Sequence, residues 1–312
     1  IKFSKIKFFF SKEQKKRAYK NITTNTASTT SLIFTQIIFP PLMIISWGLE
    51  YFGIWIFMMS VMQAIASINF NIAEPVCNKM AIYRIKKNDL KLQIIFSNFF
   101  LLTIVNILIF IIIIFSLYFL NNLNLEVFKD MNKTLIQETF LILTLGYVLL
   151  LTSSLFIVQI NHTGKSYISN NIIYMFDAMM KSLLILVGFI FENIITLAII
   201  FLIINLFKNI ILYIYSKPFG VKINAKYYNN KKIINIIKES SGSIIEQLGH
   251  IVRNNLQIIL LGAFFNAQII GIISTYKTLF YYMPFRIFEI INNVAGYEVI
   301  KAYVQKRTKI LK

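Results

Sequence analysis

Long apolar runs, separated by short polar connections, limit what this chain can fold into more than any other feature of its sequence. Several runs reach the roughly 20 residues that a helix needs to cross about 30 Å of hydrocarbon. Of the 312 residues, 57% are hydrophobic and only 14% are charged. A soluble domain of this length would need far more charge on its surface. The pattern therefore predicts an all-α, polytopic helical membrane protein.

The apolar runs predict about eight transmembrane helices, the first of them kinked or irregular near Pro40-Pro41. A long polar connection with six lysines follows the sixth helix and is interpreted as a cytoplasmic linker between two lobes. The predicted helices span about 27–47, 52–71, 92–120, 135–158, 169–190, 194–215, 242–262 and 267–285. The predicted organisation is a basic cytoplasmic segment (1–26), a six-helix first lobe (27–215), the linker (216–240) and the first two helices of a second lobe (241–312).

The net charge of +19 is spread over the connections between apolar runs. We interpret it as a topology signal rather than as a nucleic-acid-binding surface, because lysine and arginine accumulate in the cytoplasmic loops of membrane proteins. The first 20 residues carry eight lysines and arginines against one acid. Lysine-rich connections alternate with neutral or acidic ones along the chain. This alternation predicts that both ends of the chain are cytoplasmic and that membrane lipids surround it.

The stretch from Trp47 to Lys91 illustrates this topology with one complete membrane crossing. A glycine-containing turn is followed by an apolar crossing and then by a basic loop. Three aromatic residues beside the turn, Trp47, Tyr51 and Trp55, are expected to act as anchors at the membrane interface.

Glycines recur where the predicted seventh helix meets the eighth. Gly262 and Gly271 flank that turn as Gly48 and Gly53 flank the turn between the first two helices. Parallel internal repeats are common in transporters, and this recurrence supports the interpretation of two related lobes.

Charged side chains inside a predicted membrane helix are the first candidates for a functional site, because one lysine or arginine there costs about 2.5–3.5 kcal/mol on insertion scales. In the seventh helix, Glu246, His250, Arg253 and Gln257 are spaced i, i+4, i+7 and i+11, which places them on one face. Two interpretations remain open. The face lines a cavity whose cation binds an anionic substrate headgroup, or Glu246 pairs with His250 or Arg253 to hold helices together.

Three further charged residues are candidate substrate-binding residues. Asp177 and Lys181 in the fifth helix are four residues apart and can pair along one face. They form either a self-neutralised structural pair or a site in which Lys181 contacts phosphate and Asp177 titrates. Lys277 lies in the middle of the eighth helix, whereas Arg286, near its cytoplasmic end, is interpreted as interfacial.

Signatures of enzymes, cofactors and metals are not found. Gly164-Lys165-Ser166 resembles the end of a phosphate-binding loop, but Gln159 stands where that loop requires glycine. The chain has two histidines and one cysteine, and they do not form a cluster with metal-ligand spacing. We therefore expect a protein that is not an enzyme and has no cofactor and no bound metal.

Three stretches of the first lobe carry a resemblance to a known family. They are the turn 48–55, the stretch 69–74, and the basic loop 86–89 with the Phe96-Ser97-Asn98 that follows it. Together with the order of the helices, they resemble the Wzx-type O-antigen and polysaccharide flippases of the multidrug/oligosaccharidyl-lipid/polysaccharide exporter superfamily. Such proteins usually have twelve or fourteen helices in two lobes. The resemblance therefore implies a complete first lobe, and we expect the second lobe to be truncated at Lys312.

The resemblance also implies a function. It predicts a flippase of the bacterial inner membrane that moves an isoprenoid-diphosphate-linked oligosaccharide by alternating access, together with an association with polysaccharide assembly proteins. The alternative is a cation-coupled multidrug antiporter of the same superfamily, which would require an acidic cavity. The deep residues favour the flippase because they are mainly cationic: Lys181, Arg253 and Lys277 against Asp177 and Glu246. A polysaccharide polymerase would need a sizeable external loop, and residues 121–134 are too few for one.

Overall fold

A computed structural model describes the backbone of residues 12–119, 126–129, 131–191 and 193–282; within these ranges it describes the side chains of 37–67, 72–116, 126–129, 131–191 and 193–280. The described chain is helical and contains no β-strand, so the prediction of an all-α membrane protein is confirmed. Its α-helices are α1 (Lys12–Ile85), α2 (Asp89–Phe119), α3 (Lys133–Asn161), α4 (Ser166–Ile190), α5 (Ile194–Ser216), α6 (Asn230–Glu239), α7 (Ser241–Ile251), α8 (Gln257–Phe264) and α9 (Ala267–Lys277).

The first two predicted helices are joined in one element, α1, which consists of two helices that meet at a break. Its backbone stays helical at Pro40 and Pro41, where the sequence suggested an irregularity, and the break comes instead at Gly48, with φ 77° and ψ 164°. A proline ring fixes φ at a value that a helix accepts, whereas a positive φ combined with an extended ψ is essentially restricted to glycine. The helix also begins at Lys12, inside the predicted basic segment. The part of α1 after Gly48 is about 55 Å long, so it extends beyond a bilayer.

Five helical segments of the described chain are long and apolar enough to cross a membrane: Ile37–Ser67, Asp89–Ser116, Lys133–Asn161, Ser166–Ile190 and Ile194–Phe219. They lie in the region of the predicted first lobe, for which six crossings were predicted. Ile37–Ser67 contains the break at Gly48 and includes parts of both the first and the second predicted helix. The predicted seventh and eighth helices also exist, as α7 with α8 and as α9, and their beginnings agree with the expected ones to within one residue. The total of eight crossings stays a prediction.

Helix α1 is the centre of the packing, with α2, α3, α4 and α6 to α9 all in contact with it. Large side chains around its break, among them Phe52, Phe57 and Met58, are fully buried. Trp47 and Trp55 belong to the same core, with 7% and 2% of their surfaces exposed, whereas Tyr51 is 41% exposed. The interpretation of both tryptophans as interface anchors is therefore wrong, because neighbouring helices cover their rings.

Small residues allow α9 to cross α1 at very close range. A Cβ added at Gly53 would overlap the carbonyl oxygen of Ala267, and one added at Gly271 would come within 2.8 Å of the carbonyl oxygen of Leu49. Close approach of this kind is typical of helix pairs in membranes. The two glycine-flanked turns that resemble each other in sequence thus lie in direct contact.

The loops gather at two ends of the bundle. At the end that contains Trp47, the turn Glu126–Phe128 packs on α8 and α9, and Phe128 lies 5.3 Å from Phe57 between ring centroids. The opposite end contains Arg84 and residues 216–229. The predicted linker is not an open connection, because it contains α6, whose Ile236 is 4% exposed and packs in a cluster with residues of α1 and α2.

Candidate functional site

A π-helical turn, Val252–Leu256, joins α7 to α8 near the middle of the predicted seventh helix. A second π-helical turn, Thr278–Tyr282, directly follows α9. Such turns are rare and occur frequently at functional sites. Most of the candidate residues of the seventh helix lie in or beside the first turn, and the sequence pattern, which assumes 3.6 residues per turn, does not show it.

Glu246, His250 and Arg253 form a row along α7 and the first π turn. The Arg253 Nη2 atom lies 2.8 Å from His250 Nδ1. Because a guanidinium can only donate hydrogen bonds, Nδ1 accepts and the ring proton resides on Nε2. That nitrogen faces Glu246, with 4.0 Å between Nε2 and Oε1, which is longer than a hydrogen bond. The Arg253 side chain is exposed.

Lys277 reaches from the end of α9 to the first π turn. Its Nζ donates to the backbone carbonyl oxygens of Arg253 and Asn254, both at 2.8 Å. It also donates to Gln257 Oε1 at 3.0 Å. Ten residues separate Lys277 from the start of α9, which corresponds to a depth of about 15 Å from the Trp47 end. The structure thus brings Lys277 into contact with Arg253 and Gln257 of the predicted stripe.

The resulting cluster carries more positive than negative charge. Arg253 and Lys277 contribute two cations and Glu246 contributes one anion, while the hydrogen bond from Arg253 indicates a neutral His250. The Arg253 guanidinium also acts electrostatically on the Lys277 ammonium. An arrangement of this kind favours an anionic ligand, and the planar guanidinium suits phosphate in particular.

Asp177 and Lys181 lie elsewhere. Both are partly buried on α4, which packs on α1, α3 and α5, whereas α7 to α9 pack on α1 and on the turn Glu126–Phe128. The structure therefore does not bring these two residues into the cluster around Arg253. Asp177 is near enough to Lys208 of α5 to act on it electrostatically.

Lys208 is a deep charged residue that the sequence analysis did not single out. Only 4% of it is exposed. Its neighbour along the helix, Asn209, donates from Nδ2 to the carbonyl oxygen of Leu149 at 2.8 Å and accepts from Thr152 Oγ1 at 3.3 Å. Asn205, Lys208 and Asn209 are spaced i, i+3 and i+4 in an otherwise apolar run, and that spacing was the signal that could have identified this polar face.

Metal ligation has no structural basis in the described residues, among which no three histidine, cysteine, aspartate or glutamate side chains are grouped. Arg286 lies outside the described residues. Comparison of the chain with protein-family models, with curated proteins and with solved structures finds no match. The function is therefore argued from the geometry of the Arg253 cluster.

Proposed function

We propose that this protein is a transporter of the bacterial inner membrane, with both chain ends cytoplasmic, which moves an isoprenoid-diphosphate-linked oligosaccharide from the cytoplasmic to the external leaflet. The substrate class comes from the sequence resemblance. The observation that carries the proposal is the exposed Arg253 guanidinium, whose Nη2 lies 2.8 Å from His250 Nδ1, on a residue whose backbone carbonyl accepts from Lys277.

An arginine at membrane depth is costly and is tolerated where it serves a pathway or a partner. The Arg253 guanidinium can form two parallel hydrogen bonds to one phosphate group, which a lysine cannot. Lys277 supplies a second positive charge close by, so that a diphosphate with two or more negative charges finds matching cations. Glu246, whose Oε1 lies 4.0 Å from His250 Nε2, lowers the net positive charge of the cluster.

In the proposed mechanism, the headgroup binds to this cluster while the isoprenoid tail stays in the surrounding lipid. Two lobes then rock about the bound headgroup, which opens the site to one side of the membrane at a time. Helix α9 would take part directly because its close crossing with α1, through Gly53 and Gly271, couples the cluster to the first lobe.

The test compares variants of Arg253 in proteoliposomes that contain a fluorescent diphosphate-linked oligosaccharide lipid, with leaflet exchange measured by quenching from outside. Arg253→Ala is expected to lower the transport rate about 10- to 100-fold, because it removes hydrogen bonds between charged groups. Arg253→Lys should retain part of the rate. Arg84→Ala is the matched control, since Arg84 is an exposed arginine in the last turn of α1.

Full transport by Arg253→Ala, or an equal loss in Arg84→Ala, would contradict the proposal. Loss of folded protein in Arg253→Ala would instead favour a structural role for the cluster. Proton-driven efflux of a cationic dye, abolished by Glu246→Gln, would identify the protein as a multidrug antiporter.

A further inference from the structure

Three oxygen atoms of the chain surround the Lys277 ammonium, and no substrate takes part in this arrangement. The carbonyl oxygens of Arg253 and Asn254 and the amide oxygen of Gln257 lie 2.8, 2.8 and 3.0 Å from Nζ. All three belong to the helical stretch that carries the first π turn, whereas the ammonium comes from α9. Three acceptors thus converge on one cation, which is the number of hydrogen bonds that an ammonium can donate.

We propose that these three oxygens form a monovalent-cation site, which Lys277 occupies with its own ammonium as a tethered cation. Carbonyl and amide oxygens are hard ligands of the type that bind alkali ions in the irregular helices of transporters. The three contacts include no carboxylate, and divalent ions such as Ca²⁺ and Mg²⁺ are normally bound with carboxylates. The chemistry of the ligand set therefore favours K⁺ or Na⁺.

A further oxygen of the same turn is available. Asn254 Oδ1 is buried and has no hydrogen-bond partner among the described residues. A buried polar atom without a partner is unfavourable, and a free ion, which needs more ligands than an ammonium, would be able to recruit it.

The π turn accounts for the position of the site on the helix. In a regular α-helix each carbonyl oxygen accepts from the amide four residues further on, and its access to other donors is limited. A π turn widens the helix locally and changes this pairing. Carbonyl oxygens of consecutive residues, Arg253 and Asn254, are then able to face one donor on another helix.

The experiment removes the tethered cation and supplies a free one. Lys277→Met keeps an unbranched apolar side chain and vacates the three oxygens. We expect the thermal unfolding midpoint of this purified variant to rise saturably with KCl or NaCl, and not with choline chloride, whose cation is too large for the site. The wild-type protein should respond to K⁺ much less than the variant does, because Lys277 already fills the site and a free ion has to displace it.

A second variant tests the ligand set. In Lys277→Met/Gln257→Leu one of the three oxygens is missing, and the concentration of K⁺ that gives half of the stabilisation should rise about tenfold, since a hydrogen bond or ligand contact to a charge is worth enough to change affinity by this factor. Lys277→Met/Gln247→Leu serves as the matched control, because Gln247 is a residue of α7 outside the first π turn.

Identical unfolding midpoints of Lys277→Met in KCl and choline chloride would overturn the proposal, and so would an equal effect of the two glutamine substitutions. If Lys277→Met does not fold in either salt, the rate at which Lys277 is acylated in the wild-type protein is measured instead. High KCl should then speed its modification relative to choline chloride, because K⁺ competes for the oxygens, and an unchanged rate would overturn the proposal. Neither measurement depends on transport, so failure here leaves the proposed function untouched.

Discussion

At the scale of single residues, two glycines with equally open surroundings differ in their backbone conformation. A Cβ added at Gly48 or at Gly249 would meet nothing within 4 Å. Gly48 has φ 77° and ψ 164°, a conformation open almost only to glycine. Gly249 lies within α7, where glycine is a poor helix former. Because contacts are absent at both sites, a substitution there reports the backbone alone.

We predict that Gly48→Ala destabilises the protein by about 1–3 kcal/mol, the cost of a strained conformation for an L-residue. Gly249→Ala should instead stabilise it by about 0.5–1 kcal/mol, since alanine favours a helix. Unfolding of the two purified variants in the same detergent measures both effects. A loss of stability in both variants would contradict the prediction.

His162 is a buried residue whose charge state should control stability in acid. Its ring is fully buried, and Nδ1 lies 3.2 Å from the carbonyl oxygen of Val158. Burial, assisted by the charge of Arg84, lowers the pKa of His162 below its ordinary 6.5, although backbone hydrogen bonds to Val158 and Gln159 act in the opposite direction. The folded protein therefore binds a proton at this site less readily than the unfolded chain does.

We accordingly predict that the free energy of unfolding falls as the pH falls through 6.5, and that this loss ends once the pH is below the pKa of the folded state. Thermal unfolding measured across this range should show a weaker pH dependence in His162→Asn, which keeps a donor and does not titrate. His250 is present in both proteins, so the comparison isolates His162. The same pH dependence in both would refute the role of His162.

At the scale of elements, two side chains of α2 hold the chain between α5 and α6. Asn98 donates from Nδ2 to the carbonyl oxygen of Tyr227 at 2.9 Å and accepts from the amide of Asn229 at 2.9 Å. Ser97 Oγ accepts from the amide of Asn224 at 3.1 Å. Both side chains are fully buried. Ser97-Asn98 belongs to the stretch that carries the family resemblance, and the structure assigns it a part in positioning the linker.

We predict that Asn98→Ala costs about 1–3 kcal/mol, because it leaves backbone groups of the linker without partners. The local effect should be faster tryptic cleavage at Lys222 and Lys226, measured by mass spectrometry of detergent-purified protein. Asn88→Ala, in the loop before α2, is the control and should leave cleavage unchanged. Equal rates in Asn98→Ala and the control would show that other contacts hold the linker.

At the scale of the whole molecule, charge separates the two ends of the bundle. The end with Arg84 carries many lysines in its loops and in the linker, among them Lys86, Lys87, Lys165, Lys217 and Lys222. The turn between α8 and α9, at the opposite end, has no charged residue between Leu261 and Thr275. Membrane proteins keep their lysine-rich loops in the cytoplasm, so this asymmetry predicts the orientation.

We predict that a membrane-impermeant maleimide labels Phe265→Cys in intact cells and labels Lys222→Cys only after permeabilisation. The native thiol gives little background, because burial and the Glu74 carboxylate raise the pKa of Cys77 to about 12 and the unreactive thiol form predominates. Labelling of Lys222→Cys in intact cells would invert the topology.

The sequence by itself determined the helical class, the order of the helices and most of their ends. These properties depend on the length of apolar runs and on local conformational preferences, which can be recognised without knowing the contacts between helices. The same reasoning placed Glu246, His250 and Arg253 in one row, as the structure does, because helical spacing relates residues within a helix. It did not predict the π turn that precedes Gln257.

Only the tertiary structure decided which helices meet. Lys277 joined the Arg253 cluster, while Asp177 and Lys181 did not, because contacts between helices depend on crossing points such as Gly53 against Ala267. It also decided that Trp47 and Trp55 are core residues, since an aromatic ring is equally suited to an interface and to an interior. The sequence pattern could not predict the π turn at Val252–Leu256 either. In a π turn a carbonyl oxygen pairs with the amide five residues further on instead of four, and this change cannot be recognised from composition or periodicity. It nevertheless exposes the carbonyl oxygens that hold Lys277.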